Sequence, residues 1–123
     1  MRVDTTRSFL KELKRLVRKY PRVAHEVDAL LDQLEEGTRL GDRVVGTELP
    51  TYKVRLPNWD ANRGKSGGFR VLYFIELADL CWFLTIHSKS DRASYTAAEL
   101  NDLMAQHFET GSEEDDADNE SDA

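Results

Sequence analysis

The spacing of apolar residues changes once along this chain, near Gly37, and that change limits the folds open to it. Between Thr6 and Tyr20 the apolar residues Phe9, Leu10, Leu13, Leu16, Val17 and Tyr20 fall along one helical face, and Lys11, Lys14, Arg15, Arg18 and Lys19 fall on the other. Pro21 disfavours helical geometry at Tyr20 and so separates this helix from the next. The second helix begins near Arg22, turns Val23, Val27, Leu30, Leu31 and Leu34 inward, and stops at Gly37. Two helices joined this closely read as a helical hairpin.

Beyond Gly37 the helical period is gone. Gly41, Gly46 and Pro50 punctuate a loop. From Thr51 to Leu56 the chain alternates, with Tyr52, Val54 and Leu56 on one face and Lys53 and Arg55 on the other, as a half-buried strand does. A polar loop with Pro57, Gly64, Gly67 and Gly68 follows. Phe69 to Leu77 and Leu80 to Ser88 are then two aromatic-rich runs separated only by Ala78 and Asp79, the pattern of an antiparallel hairpin. Thr96 and Glu99 fit a capping box opening a short last helix, which ends near Phe108 and carries Leu100, Leu103 and Met104 on one stripe. A short first strand has room at Arg2 to Thr5. The expected architecture is α+β: a helical hairpin packed on a small, twisted, mainly antiparallel sheet, with a short C-terminal helix.

Charge is unevenly spread. The chain has 123 residues and a formal net charge of −6, yet from Glu109 onward eight acidic residues stand without one Lys or Arg. Residues 1–108 therefore hold 17 basic and 15 acidic residues, a net of +2. An acidic Ser/Gly/Asp-rich segment without large apolar residues cannot offset its ordering entropy, so one folded domain is expected over 1–108 and a disordered acidic tail over 109–123. Cys81, the only cysteine, sits inside an apolar run and reads as a buried thiol in a reducing compartment. No stretch has the length of a membrane span and the chain opens without a signal-peptide pattern, so a cytoplasmic protein with no membrane association is expected.

Strand pleat indicates which charges converge. Lys53 and Arg55 share a face, Arg70 alternates with Leu72 and Phe74, and Cys81, Phe83, Thr85, His87 and Lys89 are expected on one side of the third strand. If these strands are neighbours, four cations line one surface, and forked guanidinium groups suit phosphate oxygens. His87, beside Lys89, has a ring that can exchange protons near neutral pH. Trp59, in the polar loop, is a candidate for stacking on a base. The Gly64-Lys65-Ser66 stretch lacks the spacing of a phosphate-binding P-loop, and no histidine has a carboxylate or cysteine at metal-ligand spacing; neither cofactor nor metal is expected.

Four segments taken in order, Thr6 to Leu16, Tyr52-Lys53-Val54-Arg55-Leu56, Gly64-Lys65-Ser66-Gly67-Gly68-Phe69-Arg70-Val71-Leu72-Tyr73 and Leu84-Thr85-Ile86-His87-Ser88-Lys89-Ser90, resemble the RelE/ParE toxin superfamily. The likeness is greatest to its RelE and HigB branches and covers nearly all of 2–108. The resemblance implies a toxin of a type II toxin-antitoxin system, a metal-independent endoribonuclease that cleaves messenger RNA in the ribosome and so inhibits translation. By position it implies catalytic roles for Arg70, Lys53, Arg55, Lys89 and Tyr95, to which the strand reading adds His87. It implies RNA contacts from Lys53, Arg55, Lys65, Arg70 and Lys89. Ser90 stands where the family carries a further arginine. The implied partners are a cognate antitoxin, the ribosome and messenger RNA, with operator DNA reached only through the antitoxin complex. Two alternatives share the fold: a ParE-like, non-enzymatic inhibitor of DNA gyrase, and an inactive homologue acting only in an antitoxin complex.

Overall fold

A computed structural model describes the backbone of residues 1–121 and the side chains of residues 1–109, position 66 excepted. The elements run β1 (Arg2–Thr5), α1 (Arg7–Lys19), α2 (Val23–Glu35), β2 (Asp42–Val44), β3 (Thr51–Leu56), β4 (Phe69–Leu77), β5 (Leu80–Ser88) and α3 (Ala97–Ser121), with a 3-10 turn at Lys65–Gly67. The strands form one sheet in the order β1-β5-β4-β3-β2, antiparallel throughout except for the β1–β5 pair. This is the α+β arrangement that the change of period implies. The last helix is assigned to Ser121, past the Phe108 stop read from sequence. Of the expected disordered tail of 109–123, the side chains after Glu109 and the backbone after Ser121 lie outside the described residues.

Each face of the sheet has its own core. The α1–α2 hairpin sends Phe9, Leu16, Val27 and Leu30 against Val54, Val71, Tyr73, Phe83 and Ile86. On the opposite face, Leu100 and Met104 of α3 cover Leu72, Phe74 and Leu84. Each such side chain, fully buried, contributes roughly 1.5–3 kcal/mol. One local signal holds as read, and a second cap accompanies it. Glu99 accepts from the Thr96 N–H (2.8 Å) while the Thr96 hydroxyl accepts from the Glu99 N–H (3.1 Å), closing the capping box. Thr6 accepts from the Phe9 N–H at the start of α1 and donates its own proton to the Leu84 carbonyl, tying that helix to β5.

Two features depart from the sequence reading. The segment read as a loop after Gly37 contains β2, whose Asp42 and Val44 oppose Lys53 and Thr51 of β3. Three residues, two of them charged, carry no legible alternation. Tertiary contacts hold the strand in place: Gly41 has φ +94 and packs on the Lys53 carbonyl, and the buried Tyr73 hydroxyl donates to Leu40 (2.5 Å). Burial pushes the pKa of that hydroxyl up to about 12.

The second departure is a β-bulge in β5. Leu72 opposes Thr85, but Tyr73 opposes Phe83, so Leu84 is an extra residue on β5 and the alternation changes phase there. Cys81 and Phe83 consequently join the core under the helical hairpin, whereas Thr85 and His87 lie on the α3 side. The expectation of one continuous face from Cys81 to Lys89 is therefore wrong. Alternation alone cannot register an inserted residue.

The loop after β3 is pinned to α2. Asn58 and Arg63 exchange backbone hydrogen bonds of 2.8 Å, and the Asp60 carboxylate accepts from the Arg22 N–H (2.8 Å), capping a helix whose own N-cap residue makes no side-chain cap. Asp60→Ala should lower stability by about 1 kcal/mol, the ordinary worth of a helix cap. Asp60→Asn keeps the acceptor and should lose less than half as much; equal losses in urea unfolding would show that the cap is not what Asp60 contributes. Trp59, 51% exposed, is held by an indole N–H bond to Glu26 (3.1 Å).

Candidate functional site

Antiparallel register puts Arg55 opposite Arg70 and Arg70 opposite His87. Directly paired residues project to the same side of a sheet, so these three form a row across β3, β4 and β5. Lys53 stands in the next row, opposite Leu72, which faces Thr85 in turn. The packed residues of α3 lie over Leu72, Phe74 and Leu84, so the Arg55–Arg70–His87 row sits beside the covered part of this face.

Arg70 is not the exposed residue that alternation suggests: only 3% of it is accessible. The glycine-rich loop explains this. Gly68 packs so tightly against the end of β3 that an added Cβ would overlap the Leu56 carbonyl oxygen. The 3-10 turn at Lys65–Gly67 therefore closes over the start of β4, and the Arg70 guanidinium donates to the Lys65 carbonyl (2.9 Å) and to the Phe69 carbonyl (3.1 Å). Burial, then the neighbouring Arg55 charge, lowers its pKa from the ordinary value. Like charges directly opposite on paired strands destabilise a sheet, and a polyanion laid across them relieves that repulsion.

The remaining cations surround this row. Arg55, Lys65 and Lys89 are exposed and Lys53 is half-buried. Lys89 follows the end of β5, with its N–H on the Gly68 carbonyl (2.9 Å), which places it beside the glycine loop. A groove of about 640 Å³ runs along β3, with Lys53, Arg55 and Lys65 in one wall and Glu26 and Asp32 of α2 in the other.

His87 is 4% exposed, and its Nε2 is buried without a hydrogen-bond partner. Its Nδ1 lies 3.0 Å from the Arg92 carbonyl, which can only accept, so the neutral ring carries its proton on Nδ1. Tyr95 packs edge-on against the imidazole at 5.3 Å between centroids. The sequence expectation of direct proton exchange meets a ring enclosed by protein, and the geometry gives His87 the part of a neutral support between Arg70 and Tyr95.

Burial, more than the nearby Arg70 and Arg92 charges, lowers the His87 pKa from its ordinary 6.5, outweighing backbone bonds to Ser88 and Arg92 that act the other way. The unfolded chain then binds a proton more readily than the folded one, so the contribution of a neutral His87 is fully present above about pH 6.5 and is lost as the pH falls below it. Urea midpoints at pH 7.5 and 5.5 should differ more for the native protein than for His87→Gln. Equal differences in the two proteins would remove His87 as the source.

No model of a known protein family matches the sequence, and no curated protein is significantly similar to it.

Arg92 escaped the sequence reading. Its guanidinium lies 4.0 Å over the Tyr95 ring, pairs with Glu99 (3.1 Å) and donates to the Ser94 carbonyl (3.2 Å). Nothing in the spacing of Arg92 and Tyr95 announces a stack, because both lie on an irregular connection between β5 and α3. Cys81 is buried, and its thiol pKa is pushed up to about 11, which leaves it protonated and unreactive. Among the described residues no three His, Cys, Asp or Glu side chains converge as a metal site needs, and no helix is long and apolar enough to cross a membrane.

Proposed function

We propose that this protein is a toxin of the RelE type that cleaves messenger RNA on the ribosome without a metal ion. The observation that carries this reading is the Arg55–Arg70–His87 row, in which two guanidinium groups oppose each other across paired strands with Lys53, Lys65 and Lys89 nearby. A polyanion such as an RNA backbone suits such a surface, because it screens the repulsion between like charges set opposite each other. In the proposed reaction the 2'-oxygen of one nucleotide bonds to the adjacent phosphorus and the bond from phosphorus to the 5'-oxygen breaks. A 2',3'-cyclic phosphate and a free 5'-hydroxyl result, one proton leaving the attacking oxygen and one reaching the departing oxygen.

Arg55, Lys65 and Lys89 are accessible enough to meet phosphate oxygens, with Lys53 beside them. Arg70 acts from beneath, holding the glycine loop in place and adding positive potential where charge develops. In this reading Tyr95 helps to steer a base, supported by the enclosed His87 that packs on its ring and stands opposite Arg70. The proposed partners are the ribosome, messenger RNA and a neutralising antitoxin, with operator DNA bound only through the antitoxin complex. The proposed compartment is the cytoplasm.

The burial of Arg70 favours one second reading, a homologue that binds its partners without cutting. One assay separates the readings: purified protein is mixed with ribosomes and messenger in the presence of a chelator, and new 5' ends are mapped. Cleavage within the ribosomal A site, weakened in Arg55→Ala, is the expected result. Intact messenger with normal ribosome binding would replace the nuclease reading with the non-cutting one. Unimpeded translation together with inhibited DNA gyrase would point instead to the ParE-like alternative.

A further inference from the structure

Arg92 is built like a surface for an unpaired base. Its guanidinium rests on the Tyr95 ring at 4.0 Å, while Glu99 at 3.1 Å and the Ser94 carbonyl fix its orientation. Glu99 is itself fixed by the capping box of α3. Even so, 39% of the Arg92 side chain is open to solvent. His87 packs edge-on against Tyr95 and its Nδ1 is bound to the Arg92 carbonyl, so Arg92 touches both rings. A flat cation locked on an aromatic ring, partly exposed and beside a row of cations, offers what a splayed-out nucleobase needs: a rigid planar face next to a place for its phosphate.

We infer that Arg92 is a substrate-contacting residue, the outer layer of a base–Arg92–Tyr95 stack that orients the nucleotide beside the Arg55–Arg70 row. This rests on the reading of the protein as RNA-directed. A purely structural account of the same contacts makes Arg92 a clamp for the start of α3, and the two accounts part at lysine. Lysine keeps the charge and can keep the Glu99 ion pair, yet it has no plane on which a base can lie.

The test uses ribosomes programmed with a messenger that carries 2-aminopurine in the A-site codon and 2'-deoxy sugars there, so that attack is blocked and binding alone is read. The native protein should quench the fluorescent base by stacking. Arg92→Lys and Arg92→Ala should each weaken the quenched complex roughly 10-fold or more, the worth of one stacked base. The melting temperature of Arg92→Lys should stay close to that of the native protein. Native-like quenching by a folded Arg92→Lys would overturn the inference and leave the clamp, even if Arg92→Ala fails to fold. Failure of the native protein to engage the programmed ribosome at all would overturn the RNA-directed reading itself, and the stack with it.

Discussion

Arg70→Ala should both destabilise the protein and abolish most of its action on RNA. Arg70 is almost wholly enclosed, and its guanidinium satisfies the Lys65 and Phe69 carbonyls. Truncation leaves those carbonyls without this donor and removes a large side chain from beneath the loop. Each buried polar group deprived of its partner costs about 1–3 kcal/mol, so a loss on the order of 3 kcal/mol is expected. For a domain of this size that corresponds to a melting temperature lower by roughly 10 °C or more. In ribosome assays run well below that temperature, cleavage should fall at least about 10-fold, because the loop carrying Lys65 is released and the positive potential beneath the substrate is lost. An unchanged melting temperature would show that the loop does not depend on Arg70. Full cleavage by the folded fraction would take Arg70 out of the reaction.

The second large effect belongs to Gly68→Ala. A Cβ at Gly68 would overlap the Leu56 carbonyl and approach the Asn58 nitrogen to 2.9 Å, and backbone atoms cannot turn aside as a flexible side chain can. The loop must separate from β3, and with it go the Lys65 contact to Arg70 and the Lys89–Gly68 hydrogen bond. Overpacking costs about 1–3 kcal/mol as a rule, and a clash against unyielding backbone belongs at the upper end, about 3 kcal/mol. Gly64→Ala is the control, because nothing lies within 4 Å of its Cβ position. Its unfolding midpoint should stay near the native value. Equal behaviour of the two variants would mean that the glycine loop tolerates rearrangement and that its tight closure over β4 is not needed for stability.

Residues whose environment is local were legible in the sequence. The bounds Thr51–Leu56, Phe69–Leu77 and Leu80–Ser88 follow from alternation and turn residues, and the Thr96–Glu99 box follows from the chemistry of a helix start. The convergence of Lys53, Arg55 and Arg70 was also legible, because pleat fixes which side a strand residue takes. Four features were not. β2 is too short to show a period. The Leu84 insertion leaves no mark on composition. The depth of Arg70 depends on a loop folding back over it, which alternation within β4 cannot express. Arg92 meets Tyr95 within the irregular connection between β5 and α3, whose path no periodicity encodes.

β2 has a further consequence, one for solubility. A sheet that does not close on itself presents two free edges, each a template onto which another chain's strand can add. Here one outer strand has three residues, with Asp42 and Arg43 exposed. The other, β1, carries an Arg2–Asp4 ion pair of 2.9 Å along its length. An incoming strand would gain few hydrogen bonds and would strip water from charged groups at both borders, so edge-to-edge polymerisation is disfavoured even at the high concentrations of overexpression.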